Sequence, residues 1–272
     1  MTVSVVDDNG AVVRDAGPAD FVVREDNVSR EILRVMPASE PMDIALLVDT
    51  SYASRNNISH FRSALPGFVT QLTNPNAAGL KNRVAILAMG ERPTLITDFT
   101  QSAIELTKGI NRLWSLQDTG AYFLDSILEA CERFKKIESK RPVIVAITQE
   151  GREFSYRQYD QVLPVLRASG AALHAIALGS PADISTDEAR SRHIVLDQGT
   201  HDTGGRRTQL LTPMALAGSL RQLGDELTHQ YLVVYAHPDS LIPPDRVTVE
   251  SKKPGATARG VLVKDKIPQG RP

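Results

Sequence analysis

From residue 42 onward the chain alternates short, unbroken apolar runs with stretches carrying apolar residues at helical spacing, and few architectures accept that rhythm. After its first residue, Asp43-Ile44-Ala45-Leu46-Leu47-Val48 is apolar at every position, as expected of a strand covered on both faces. Residues 56–72 then place Ile58, Phe61, Leu65, Phe68, Val69 and Leu72 on one helical stripe, and Pro66 within it predicts a kink or an early break. Further strands are predicted over residues 83–88, 94–97, 143–147 and 172–178, and helices over 102–113, 122–138, 156–169 and 213–228. Strands interleaved with helices in this way predict an α/β fold whose central sheet is mostly parallel and carries helices on both faces.

The two ends follow a different rhythm. Residues 1–40 read as two short β-hairpins, one turning at Asp8-Asn9-Gly10 and one at Asp26-Asn27. Pro37-Ala38-Ser39-Glu40-Pro41 reads as a linker. Tyr231-Leu232-Val233-Val234-Tyr235 ends the alternation, and residues 246–250 and 258–264 return to strand patterning around Lys253-Pro254-Gly255. Neither end alone buries enough apolar surface to be stable. The economical expectation is an N-terminal β segment (1–40) and a C-terminal one (237–272) pairing as a small accessory sheet beside an α/β domain (42–236).

Charge excludes some classes of function. With 31 basic and 32 acidic side chains the formal charge is −1, which removes the basic excess that non-specific nucleic-acid binding or a polybasic membrane anchor requires. No apolar run approaches the ~20 residues of a membrane-spanning helix. Cys131 is the single cysteine, so no intrachain disulfide forms. The first residues lack a basic segment followed by an apolar one, so no export signal is read there.

In an open α/β sheet, ligands bind at the carboxyl ends of the strands near the point where strand order reverses. The first core strand ends in Val48-Asp49-Thr50-Ser51-Tyr52-Ala53-Ser54, where a carboxylate and nearby hydroxyls offer the hard oxygen donors that Mg²⁺ or Mn²⁺ prefers. With this motif the chain resembles a von Willebrand factor type A (VWA) domain over roughly residues 42–236. Its flanks are similar to a bacterial VWA-related family that brackets the core with β segments. Thr2-Val3-Ser4-Val5-Val6-Asp7-Asp8-Asn9-Gly10 and Asp20-Phe21 match that family's opening, Thr203-Gly204-Gly205-Arg206 a turn before its last helix, and Gln230-Tyr231-Leu232-Val233-Val234-Tyr235 its close.

The resemblance implies a Rossmann-like fold and a metal-ion-dependent adhesion site built as Asp-x-Ser-x-Ser on one loop, Thr on a second and Asp on a third. Asp49 and Ser51 match the first two positions. Ala53, Ala121 and Gln149 stand where the remaining ligands belong, so the site is expected to be degenerate, with no cofactor or only weak Mg²⁺ or Mn²⁺. Ser54, Asp118, Thr119 and Glu150 lie near the lost ligands, and the alternative is a remodelled metal-dependent adhesion module using Ser54 or Glu150. The resemblance also favours an extracytoplasmic or secreted location.

Other motifs read as structural. His193, Asp197, His201 and Asp202 fall within ten residues, but Gln198-Gly199-Thr200 predicts a polar loop, which leaves a hydrolase or zinc site there as the least favoured alternative. Cys131 sits on a helical apolar stripe, His174 is expected as a hydrogen-bonded core histidine, and Trp114, Phe123 and Phe134 as core. The basic run 135–141 reads as a solvated helix end. No nucleophile, base and stabiliser are nominated together. The expected function is therefore non-enzymatic protein binding through loops 50–56, 117–122 and 149–154, with Tyr52, Ser54, Thr119, Tyr122, Glu150, Arg152 and Phe154 as contact residues.

Overall fold

Residues 1–115, 117–180, 185–237 and 246–262 are described by the computed structural model. Its centre is a six-stranded sheet of β5 (Asp43–Val48), β6 (Arg83–Ala88), β7 (Thr94–Thr100), β8 (Pro142–Gln149), β9 (Ala172–Leu178) and β10 (Arg207–Leu210), in the order β10-β9-β8-β5-β6-β7. Every pairing is parallel except β6 with β7. The chain leaves β5 towards β6 on one side and returns to β8 on the other. Strand order therefore reverses at β5, and the crevice of a doubly wound sheet opens between the carboxyl ends of β5 and β8.

Side-chain alternation along β5 divides the core in two. Ile44, Leu46 and Val48 join a cluster with α1 (Ile58–Thr73), α2 (Ala103–Asn111) and α7 (Leu216–Thr228). Ala45 and Leu47 join the opposite cluster with α3 (Phe123–Lys136), α4 (Tyr159–Ser169) and Val195-Leu196. Pro66 does not break α1, which runs on to Thr73. Trp114 is a correction: it lies beyond α2 and is 67% exposed, whereas Phe123 and Phe134 are buried as expected.

The segment around His193 is also corrected. α5 (Asp187–Ile194) begins at Thr186, whose hydroxyl accepts the Ala189 amide, and passes through a π-helical stretch, Val195–Gly199, into α6 (Thr200–Asp202). Burial of Val195 and Leu196 against α3 and α4 keeps Gln198-Gly199-Thr200 helical despite its composition.

The two ends of the chain form a small antiparallel sandwich. One sheet has the order β13-β1-β11-β4, with β1 (Thr2–Asp7), β4 (Ile32–Pro37), β11 (Tyr231–Tyr235) and β13 (Ala256–Val261). The other has the order β12-β2-β3, with β2 (Phe21–Glu25), β3 (Val28–Arg30) and β12 (Val247–Ser251). N- and C-terminal strands thus pair four times, β1 with β13 and β11, β4 with β11, and β2 with β12. Val3, Val5, Phe21, Val23, Tyr231 and Val233 fill the space between the sheets. Of the two expected turns, the one at Asp26-Asn27 joins full strands, with both residues at positive φ as a two-residue hairpin loop needs. It joins β2 to β3, while β4 leaves to pair with β11. The Asp8-Asn9-Gly10 turn is built as well, the Asp7 amide donating to the Ala11 carbonyl at 2.8 Å and that of Val13 to Val5 at 3.0 Å around a bridge between Val6 and Val12, without a second full strand. The expected strand over 258–264 appears as β13, and its last two positions lie outside the described residues.

Polar side chains clasp the sandwich to the core. Gly204, at φ +69°, and Gly205 leave no room for side chains: a Cβ would fall 2.2 Å from the Gly260 carbonyl oxygen and 1.9 Å from that of Leu173. Buried Glu226 accepts from Arg259 at 2.7 Å and faces Arg206 at 3.4 Å. Arg141, expected in a solvated helix end, instead donates to the Glu40 carbonyl at 2.7 Å and to the Gln230 side chain. His174 is buried beside this cluster, and neither ring nitrogen has a hydrogen-bond partner among the described residues. Burial lowers its pKa to about 4, against the pull of Glu226 and with Arg259 and Arg206 adding to the drop. The expectation of a hydrogen-bonded core histidine is thereby corrected.

Candidate functional site

Three loops converge above the crevice. The first follows β5. Asp49 is fully buried, its Oδ1 accepting the Ser51 amide at 2.9 Å and its Oδ2 accepting the Gln149 amide at 2.9 Å and the Thr148 hydroxyl at 3.2 Å. Its carboxylate therefore stitches β5 to β8 across the point of strand reversal. Ser51 is buried as well, and its carbonyl accepts the Ser115 hydroxyl at 2.8 Å. Ala53 packs against the third loop so closely that a Cβ on Gly151 would meet its methyl at 2.8 Å.

The second loop enters α3. Its Thr119 carbonyl accepts the Tyr52 amide at 3.2 Å, joining it to the first loop. Ala121 is buried and zipped to the third loop in a parallel bridge, its amide donating to Arg152 and its carbonyl accepting from Phe154, both at 2.8 Å. Tyr122 stands at the N-cap of α3 and supplies no capping bond. The third loop does so instead. Glu153 Oε1 accepts the Phe123 amide at 3.0 Å, and the Ser155 hydroxyl accepts that of Asp125 at 3.1 Å.

The third loop follows β8. Gln149 Oε1 accepts from the Asn57 side chain at 2.6 Å. Glu150 is bound by Arg207 at 3.2 Å, and Arg207 also holds Asp197 at 2.8 Å. Beneath the loop lies Arg192 of α5, 4% exposed, donating to the Thr148 hydroxyl at 2.5 Å and the Gln149 carbonyl at 2.7 Å. Burial raises the Glu153 carboxyl to about 7, with Arg192 at 3.8 Å opposing the rise.

These placements bear on whether a divalent ion fits. Mg²⁺ demands six oxygens near octahedral geometry. The two oxygens of Asp49 already accept three protein donors, Ala53 and Ala121 offer no side-chain oxygen, and the Gln149 carbonyl is engaged by Asn57. The donor set does not fit a tightly held ion. One atom stands on the other side: Ser54 Oγ is buried without a hydrogen-bond partner among the described residues. Among the described residues no group of three or more His, Cys, Asp or Glu side chains is placed to hold a metal. The residues singled out around His193 divide between two sites: His193 contacts Asp197 at 3.0 Å, while His201 and Arg167 share Asp202.

Of the expected contact residues, Tyr52 and Arg152 are exposed, and Tyr122 and Thr119 are half-buried. Ser54 is fully buried and is corrected as a surface residue, and Glu150 is occupied by Arg207. Arg55 covers the Tyr52 ring at 4.1 Å. Tyr122, Phe154 and Tyr156 form an aromatic group, with the latter two rings each 6.3 Å from Tyr122. Burial raises the Tyr122 phenol pKa, with Tyr156, Asp125 and Glu91 adding to it. The group lines an open groove of about 730 Å³ that continues along Arg152 to Thr186 and Glu188 at the start of α5. Sequence reasoning missed Tyr156, 87% exposed, and Arg192. An aromatic beside the third loop was a usable signal for the first. Nothing local marks Arg192, which lies 43 residues from the Gln149 carbonyl it meets.

A family model for the von Willebrand factor type A domain matches residues 43–198. A search of curated proteins by sequence returned no match. Among solved structures, a von Willebrand factor type A protein from Catenulispora acidiphila is similar at TM-score 0.59 and 13% identity, over 95% of this chain and 63% of that one. Proximal thread matrix protein 1 of the mussel byssus, with a zinc-occupied MIDAS motif, follows at TM-score 0.58 and 15% identity, over 75% of this chain and 50% of its own. The vWF domain of the type V pili tip protein Mfa5 from Porphyromonas gingivalis gives TM-score 0.52 and 10% identity, over 70% and 96%. The chain thus spans less than two thirds of the first two, and at these identities the likeness speaks for the fold. The matched segment covers more than half of the sequence and holds β5 to β9 with the three loops above them, so the chain belongs to the von Willebrand factor type A domain family.

Proposed function

We propose that this domain binds a protein partner without catalysis and without a divalent ion, through the loops at the carboxyl edge of its sheet. The observation that carries this reading is the commitment of both Asp49 oxygens to protein donors, beneath a face that exposes Tyr52, Arg152, Phe154 and Tyr156. Large aromatics and arginine beside a groove are the side chains that dominate binding energy in protein interfaces. Ala53, Ala121 and Gln149 at the family's ligand positions support the same conclusion. An extracytoplasmic location is part of the proposal, supported by the flanking β segments that resemble the bacterial family and by neighbours that include a pili tip protein and a byssal matrix protein. No described helix is long and apolar enough to cross a membrane.

Calorimetric titration of the EDTA-treated protein with Mn²⁺ tests the first half, and no saturable heat is expected. For an identified partner, Tyr52→Ala combined with Tyr122→Ala is expected to weaken binding about tenfold or more, and EDTA to leave it unchanged. Undiminished affinity in the double variant would remove the loop face from consideration. The unpartnered Ser54 hydroxyl favours a second reading, a remodelled ion site. It requires Mn²⁺ binding that is lost in both Asp49→Ala and Ser54→Ala.

A further inference from the structure

Arg192 lies on α5, away from every loop that carries a ligand position of the family, yet its side chain is 4% exposed, contacts the end of β8 and the loop after it directly, and reaches the other two loops through one intermediary each. Nη2 donates to the Thr148 hydroxyl and the Gln149 carbonyl, and Nη1 to the Gly151 carbonyl at 3.4 Å. Thr148 hands the contact on to Asp49 Oδ2 at 3.2 Å. On the other side, Nη1 is 3.8 Å from Glu153 Oε2, and the second oxygen of that carboxylate holds the Phe123 amide where the second loop becomes α3. One guanidinium is therefore linked to the loop after β5, the loop entering α3 and the loop after β8. A divalent ion in this fold would have to bridge the same three loops.

We infer that Arg192 is a built-in cation that occupies the structural role of the ion, compensating buried Asp49 and holding the three loops in one metal-independent arrangement. The inference rests on the metal-independent reading above and adds the residue that enforces it. A guanidinium is suited to the part because it stays charged when buried and presents several donors in a fixed plane. Placed one hydroxyl away from Asp49 in a low-dielectric setting, it also repels a second cation. The close approach of Gly151 to Ala53 is an independent sign of closure, since the third loop is drawn down over the position of the missing hydroxyl.

The test uses the full chain in four forms: wild type, Arg192→Met, the triple variant A53S/A121T/Q149D, and the triple variant combined with Arg192→Met. Mn²⁺ affinity is read by calorimetry and by the shift in melting temperature, with folding checked by circular dichroism. The triple variant is expected to bind Mn²⁺ at least tenfold more weakly than the same protein lacking Arg192. Equal affinities in the two, or no binding in either, would overturn the role of Arg192 while leaving the metal-independent reading intact. Saturable binding by the wild type would instead sink that reading. If Arg192→Met does not fold, Arg192→Lys keeps the charge but not the planar fork. Amide exchange over residues 149–152 should then quicken at least tenfold, and unchanged protection would overturn the inference.

Discussion

Acid should loosen this protein through one side chain, His174. The imidazole is enclosed at the seam between β9 and the accessory sandwich, and neither ring nitrogen has a hydrogen-bond partner among the described residues. Its pKa falls from 6.5 to about 4 because burial disfavours the charged ring, a drop that Glu226 opposes and Arg259 and Arg206 reinforce. The folded-state value lies below the unfolded one, so the stability linked to this group is complete above pH 6.5. It is lost as the pH falls towards 4, while the unfolded chain takes up a proton that the folded chain refuses. The linkage amounts to about 2 kcal/mol at pH 5 and about 3 kcal/mol below pH 4. Urea unfolding followed by circular dichroism at pH 7 and pH 5 should show the wild type losing about 2 kcal/mol more than His174→Leu. At pH 7 the variant should lie within about 1 kcal/mol of the wild type, because it removes two unpartnered polar atoms while keeping an apolar volume. Equal losses in the two proteins between pH 7 and pH 5 would refute the account of a neutral, unpaired core imidazole.

Gly205→Ala should destabilise the chain by about 3 kcal/mol, because its Cβ would fall 1.9 Å from the Leu173 carbonyl oxygen, and backbone cannot yield as a side chain can. A fall in melting temperature of less than a few degrees would contradict that packing. Glu153 should produce a slope opposite to that of His174. Burial holds its carboxyl at about 7 rather than 4.5, so its contribution is full below pH 4.5 and is lost as the pH rises through 7. In Glu153→Gln, unfolding free energy should change less between pH 5 and pH 8 than in the wild type, and an unchanged profile would count against the raised value.

Much of the core was legible because its signals are local. β5 buries both faces and therefore shows no polar alternation, and α3 repeats its stripe at Phe123, Ile127, Ala130 and Phe134. Asp49 was legible for a related reason, since the end of the first core strand in an open α/β sheet is a place where ligands bind. Several readings failed, and three of them show how tertiary contacts override local preference. Burial of Val195 and Leu196 carried a Gly-containing segment into helix. Pairing with β11 drew β4 away from the hairpin that its neighbours began. Packing at the seam of two layers left His174 without the partner that a core histidine ordinarily finds.

By itself, then, the amino-acid order determined most of the core strands and helices, that the ends are β, and that a carboxylate with nearby hydroxyls follows the first core strand. Those features depend on periodicity and on residue chemistry within a few positions. Only the folded chain decided what surrounds that carboxylate. Arg192 reaches Thr148 and Gln149 across more than forty residues, and Glu153 caps α3 from a different loop. Such contacts carry no sequence period, because they arise from where the elements finally pack.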